Sequence, residues 1–288
     1  MKILRNNKIL RIILIFLLCC FAGLGIIFSG VFVAMRLHLT DVKGSIDSRN
    51  NYFNKIKNQE SRVADYYSSI NSEWMKGNEF ATFKEGVLKD KEIILKVSDI
   101  TDVPSRLIVS SIMPEQLRFF TSNRESFKKF FEPLKILGTY SQFSYGISGI
   151  KIETAKEIET NLKDVNSPFY LGKDYVNLLD YSDTNNIDSQ RLARFTDSHN
   201  HYYSYLYTAI YLKEIMQQWE NSEFSINDRP EVLATLFNIG FKRSIPKENP
   251  EVGGSTITIN NRDYTFGGLS YEFYYSGELS EFFPFEVQ

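Results

Sequence analysis

A chain of 288 residues, 43% hydrophobic and 24% charged, has room for a membrane anchor plus one or two domains and is too apolar to be disordered. Its net charge of −2 excludes the basic surface of a general nucleic-acid binder. Cys19 and Cys20 are the two cysteines, both inside one apolar run, and His38, His199 and His201 lack the spacing of a zinc set, so no disulfide, metal site or cofactor is expected in the remainder.

The first predicted element is 12–35, a run of 24 residues without a charge. As a helix it reaches about 36 Å, enough for a hydrocarbon core of about 30 Å. Lys2, Arg5, Lys8 and Arg11 precede it, whereas Arg36 and Lys43 follow among Asp41 and Asp47. The positive-inside bias then places residues 1–11 in the cytoplasm and the bulk of the chain on the other side of the membrane. A signal peptide has a shorter apolar region and a small-residue cleavage site, and no convincing site follows here, so the run reads as an uncleaved single-pass anchor.

Residues 40–80 read as a helical stalk. Phe53, Ile56, Val63, Tyr67, Ile70 and Trp74 fall on alternating three- and four-residue steps, with Glu60 as the polar exception. A seam of that spacing either docks on the following domain or joins a second copy or an envelope partner through 53–74. A helix is expected over 83–97, closed by the polar run 98–102, and Pro104 suits the first turn of the next one. That next helix places Ile108, Ile112, Glu115 and Phe119 on one face, so an acid stands where a core residue belongs. A carboxyl in such a place protonates, finds a partner or lines a cleft. Pro114 removes a backbone bond beside it and is expected to bend the axis there.

Further on, 141–149 reads as a Ser/Gly/Tyr loop and 151–161 as a helix. Short helices are expected at 176–181 and 189–195. Tyr205, Ala209, Leu212, Met216 and Trp219 make a clear helical stripe, and 230–238 a further helix stopped by Gly240. Around Asn260-Asn261, β-branched and aromatic runs predict a hairpin. The aromatic tail 271–275 serves either core packing or stacking on a sugar, as do Tyr140 and Tyr145.

Three of these pieces together resemble the lysozyme-like lytic transglycosylases, enzymes that cut the glycan strands of peptidoglycan. The stretch 98–116, SDITDVPSRLIVSSIMPEQ, is similar to the family's turn and helix ending in the catalytic Glu. The stretch 144–155, SYGISGIKIETA, looks like its S-x-G-x-x-Q-I-x-P-x-T-A loop, with Gly149 and Ile152 in place of the Gln and Pro. The stretch 229–240, RPEVLATLFNIG, resembles its late L-A-x-x-Y-N-x-G helix, with Phe237 in place of the Tyr. Their order is more specific than any one of them.

The resemblance implies a mainly α (α+β) fold with a lysozyme-like helical domain over 84–245; the hairpin and aromatic tail over 246–288, like the stalk, lie outside it. It implies that Glu115 is the catalytic acid and then the base, cleaving the bond between N-acetylmuramic acid and N-acetylglucosamine without a second carboxylate. Glu125 and Glu132, within reach along the chain, read as solvated surface groups. Ser144, Gly146, Gly149, Ile150 and Lys151 would shape the groove, and Phe237 and Asn238 would stand opposite. The partners expected are peptidoglycan strands and, through 12–35, the membrane. The losses at 149 and 237 leave two alternatives: a catalytically degenerate domain that binds peptidoglycan, or a structural module of an envelope complex.

Overall fold

The structure is a computed structural model that describes residues 2–36, 72–121, 144–145, 147–197 and 199–285. Expectations for the stalk up to residue 71, for Glu125, Glu132 and Tyr140, and for Gly146 lie outside these residues. The described part is mainly helical, with two small antiparallel strand pairs. The chain divides into two units, Met1–Val42 and Lys43–Gln288, each taken here by itself.

The first unit contains α1 (Lys2–Arg36). Its stretch Ile13–Gly30 has a mean hydropathy of 2.6 and buries none of its residues. The helix is long and apolar enough to cross a membrane or to be a signal sequence.

The second unit begins, among described residues, with a 3₁₀ turn at Glu73–Lys76 rather than the last turn of an α-helix. Trp74, the end of the expected seam, is buried: its indole N–H donates to Glu272 at 2.6 Å and its ring meets Phe80 edge-on at 5.2 Å. Two helices, α2 (Asn78–Lys89) and α3 (Lys91–Thr101), replace the single one expected over 83–97. They meet at Asp90, a residue that favours helix ends because its carboxylate competes with the backbone for partners. Here that carboxylate takes the Tyr205 hydroxyl at 2.9 Å and lies 2.6 Å from His201.

Helix α4 (Ser105–Thr121) starts one residue after Pro104, whose carbonyl accepts from Leu107 and Ile108. It buries Leu107, Ile108, Val109, Ile112, Met113 and Leu117, and it continues through Pro114 without a break in assignment. Where only a loop was expected, β1 (Ser144–Tyr145) and β2 (Ile150–Lys151) form a two-residue ladder, Ser144 opposite Lys151 and Tyr145 opposite Ile150. It leads into α5 (Ile152–Asn161). The helix expected at 176–181 is not formed. Separate turns stand there, with Tyr175, Leu178 and Asp180 each bonding three residues back, in a stretch where Asp174, Asn177 and Asp180 are poor helix formers. Helix α6 (Ile187–Thr196) follows near its expected place.

Helix α7 (Tyr202–Asn221) is the axis of the unit. Every residue from Ser204 to Leu212 is buried, beyond the one-sided stripe the spacing implied, because α3, α5, α6 and α8 (Pro230–Ile239) all pack on it. The expected hairpin is present as β3 (Thr256–Ile259) and β4 (Arg262–Thr265), with Asn260 and Asn261 at φ 51° and 61° in the turn. Helix α9 (Phe266–Tyr275) packs on α8 and α4, so the aromatic tail is core: Tyr271, Phe273 and Tyr275 are buried. The approach is close enough that a Cβ on Gly267 would stand 2.5 Å from the Glu231 carbonyl.

Three ionisable groups in or beside this core, two buried and one half-buried, sharpen it. Arg106, fully buried at the start of α4, donates to the carbonyls of Tyr274, Glu278, Phe283 and Phe273 at 2.7, 3.0, 3.0 and 3.1 Å. Burial opposes the charge of Glu159, but the Arg191 fork at 2.8 and 2.6 Å and the hydroxyls of Tyr181 and Tyr207 outweigh it and hold the carboxyl below its ordinary range. Glu214 is the opposite case: burial pushes its carboxyl well above the ordinary 4.5, with Asn161 at 3.3 Å only partly offsetting it. The folded chain therefore keeps a proton that the unfolded chain releases, and stability falls as pH rises past 4.5. Glu214→Gln is expected to raise the Tm at pH 7 by a few degrees and to leave it nearly unchanged below pH ~4. Thermal melts at both pH values check this, and an equal gain at both would show that ionisation is not the cause.

Candidate active site

The site is built where α4, the β1–β2 hairpin and the segment after α8 meet. Glu115 lies one turn beyond Ile112, where the buried stripe of α4 reaches the surface, and its side chain is 12% exposed. Directly beneath it is Gly149, in the left-handed region at φ +65°. A Cβ there would stand 2.5 Å from Glu115 Cδ and 2.6 Å from Cγ, so a side chain at 149 and the observed Glu115 position exclude each other. The carboxyl thus fills the space that a glutamine at 149 would enter. Gly149→Ala is expected to cost about 1–2 kcal/mol from the left-handed backbone and the overlap, and to move the carboxyl off the hairpin. Chemical denaturation and a structure of the variant would read the two effects.

Next to Glu115, Gln116 donates its amide N–H to the Ile147 carbonyl, tying α4 to the hairpin. Arg118, one turn on, donates to Glu115 Oε1 at 2.6 Å and lies 2.5 Å from Oε2. Its other terminal nitrogen is 3.4 Å from the Ser255 hydroxyl. Ser255 in turn donates to Asn238 Oδ1 through its main-chain N–H at 2.7 Å and its hydroxyl at 3.0 Å. Glu115, Arg118, Ser255 and Asn238 form one polar chain from α4 to the end of α8. An arginine has only donors, so the pair suits an ionised carboxylate that accepts on both oxygens.

The chain matches no protein-family model, no curated protein and no solved structure in the comparisons made. The site therefore rests on its geometry and on the motifs.

The structure brings Glu115, Gly149 and Asn238 into one region, although they are separated widely along the sequence. Asn238 neither reaches α4 directly nor caps its own helix. It holds Ser255, and connects to Glu115 through Ser255 and Arg118. Phe237 is turned into the core, with ring centroids 5.2 Å from Tyr211 and 6.4 Å from Phe266. Ile150 is buried as well, a support of the hairpin rather than an exposed groove floor. Ser144 and Lys151 are backbone partners in the ladder, and Lys151 also stands at the N-cap of α5. Among the described residues no group of three His, Cys, Asp or Glu is arranged for a metal.

Sequence reasoning missed Arg118, Gln116 and Ser255. The first was legible in principle, since residues three apart share a helix face and an acid with a base there commonly pair. Nothing local marks Ser255, which comes to the site from 137 residues away along the chain.

Proposed function

We propose that this chain is a membrane-anchored, peptidoglycan-cleaving protein of the lytic transglycosylase type, with a lysozyme-like domain and Glu115 as its single catalytic carboxyl. One observation supports the reading: the acid of the first stretch lies over Gly149 of the second, the position of the family's Gln, and is linked by a polar chain to the asparagine of the third. Their meeting in space is what a shared site requires, and it supports the reading beside the core packing that joins the same elements. In the reaction, Glu115 gives its proton to the oxygen between N-acetylmuramic acid and N-acetylglucosamine. The carboxylate then takes the proton of the muramic acid C6 hydroxyl, whose oxygen closes a 1,6-anhydro ring. The nucleophile belongs to the substrate, so one carboxylate serves where other glycosidases need two.

Proton donation requires that the ion pair open, and Ser255 is the neighbouring acceptor to which Arg118 can turn when a glycan enters. α1 is the anchor in this reading, with the N-terminus in the cytoplasm and the glycan partner outside. The test is mass spectrometry of purified peptidoglycan after incubation with the full-length chain in detergent. Anhydro-muropeptides are the expected product, and intact strands under all conditions would overturn the enzymatic assignment.

A second reading is favoured by Arg118 and Phe237. The first clamps both Glu115 oxygens, and the second replaces a hydroxyl with an apolar ring turned into the core. A domain so altered holds glycan without cutting it, and cosedimentation with cell-wall sacculi without release of fragments is its signature.

A further inference from the structure

A cleft of about 450 Å³ opens between α2, α6 and the beginning of α7, and Gln116 and Ile147, the two residues that tie α4 to the hairpin, are part of its wall. Its floor is apolar, with Phe83, Val87 and Phe195 all buried. The polar lining comprises Thr82, Lys89, Thr196 and Asp197 at the wall, and the Asp90–His201 pair and Gln116. Asp90, almost buried and fixed by the Tyr205 hydroxyl, holds His201 by its Nδ1 at 2.6 Å. In a neutral imidazole one nitrogen donates and the other accepts, so a carboxylate at Nδ1 selects the tautomer with a lone pair on Nε2. Among the described residues Nε2 has no hydrogen-bond partner, and the His201 side chain is 28% exposed. Gln116 also lines the cleft, and because its amide nitrogen is committed to the Ile147 carbonyl, the group it has left to offer a ligand as an acceptor is Oε1.

We propose that this cleft is a sugar subsite in which His201 Nε2 and Gln116 Oε1 accept hydrogen bonds from the hydroxyl or acetamido N–H groups of one pyranose ring. A pyranose offers donors along its edge and C–H groups on its face, which matches two acceptors set over an apolar floor. Asp90 is a positioning residue that acts through the imidazole, and an aspartate in that role matters because it fixes which ring nitrogen accepts. The subsite rests on the glycan reading above, and Gln116 links them, since it follows Glu115 directly.

The experiment uses the full-length chain in detergent with N-acetylglucosamine oligosaccharides of defined length as the probe, read by calorimetry at pH 7.5. Wild-type protein is expected to bind, and His201→Leu to bind about tenfold more weakly, the effect of one lost hydrogen bond. Selective ¹⁵N labelling of histidine supplies a readout that does not depend on the variant folding. Of three histidines in the chain, the His201 Nε2 signal is expected to shift on addition of the sugar in wild type. In Asp90→Asn the same signal is expected to report a changed tautomer before any sugar is added. Equal affinity of wild type and His201→Leu, or an Nε2 signal unmoved by bound sugar, would overturn the subsite. If Glu115→Gln still abolishes cleavage in that case, the subsite alone has failed. If the wild type neither binds nor cleaves any glycan, the catalytic reading and the subsite fall together.

Discussion

Glu115→Gln is expected to lower the release of anhydro-muropeptides by at least about 10²-fold while leaving the affinity for glycan within a few-fold. A positioned general acid contributes about 10²–10⁴ to the rate, and the amide has neither the proton to give nor the charge to take one back. The substitution keeps the size of the side chain over Gly149, so the hairpin is expected to stay in place and binding to survive. Glutamine also loses the ion pair with Arg118, and a control is needed for that loss. Arg118→Ala breaks the same pair and keeps the carboxyl. If Glu115 is the acid, Arg118→Ala retains cleavage and Glu115→Gln does not. If the pair is only structural, the two variants lose stability alike and neither changes product formation. Single-turnover assays of the two variants side by side, with circular dichroism melts, separate these outcomes.

The largest effect on stability is expected from Arg106. Arg106→Ala removes the donors for four main-chain carbonyls at the end of α9 and beyond it, those of Phe273 and Phe283 in fully buried bonds and those of Tyr274 and Glu278 in part-buried ones. It also empties the space where the guanidinium lies 5.3 Å from the Phe273 ring and 4.2 Å from the Phe285 ring. Breaking one side of such a buried, charged network costs about 3–5 kcal/mol, which lowers the Tm of a domain this size by on the order of 10 °C. Arg106→Lys keeps the charge but not the fork, and a partial loss is expected. Denaturant titrations of the three proteins give the comparison. A loss under about 1 kcal/mol for the alanine variant would mean that the tail is held by its aromatic packing alone. Because Arg106 and Glu115 share α4, the tail is also a support for the site. The alanine variant is accordingly expected to lose activity at temperatures below its Tm.

The elements legible in the sequence are those whose cause is local. The anchor-length run needed only its missing charges. The helix carrying Glu115, the helix ended by Gly240 and the hairpin at Asn260-Asn261 needed only periodicity and turn chemistry, and each is found within a residue or two of its expected place. Two expectations failed for an equally local reason that was misjudged. Asp90 divides a helix that apolar spacing joined, and the Asp and Asn residues of 174–180 keep a short apolar run in turns. Asp and Asn are poor helix formers, a preference that periodicity does not register, and the Asp90 carboxylate is engaged by Tyr205 and His201 instead.

The residues around Glu115 divide in the same way. An acid on an apolar face is a statement about one helix, and the sequence alone determined that it was out of place. What stands under it and beside it was decided only by tertiary structure. Gly149 fits because α4 and the hairpin approach until no side chain has room between them. Phe237 faces inward because α7 and α9 close over it from two sides. Asn238 reaches Glu115 through a serine and an arginine because the segment after α8 returns to α4. Likewise the aromatic tail, expected as core with a sugar face as the alternative, is core because α9 packs on both α8 and α4. Local preference acts over a few residues, whereas close approach and burial are properties of pairs of elements, and no pattern within one element can encode the identity of its neighbour.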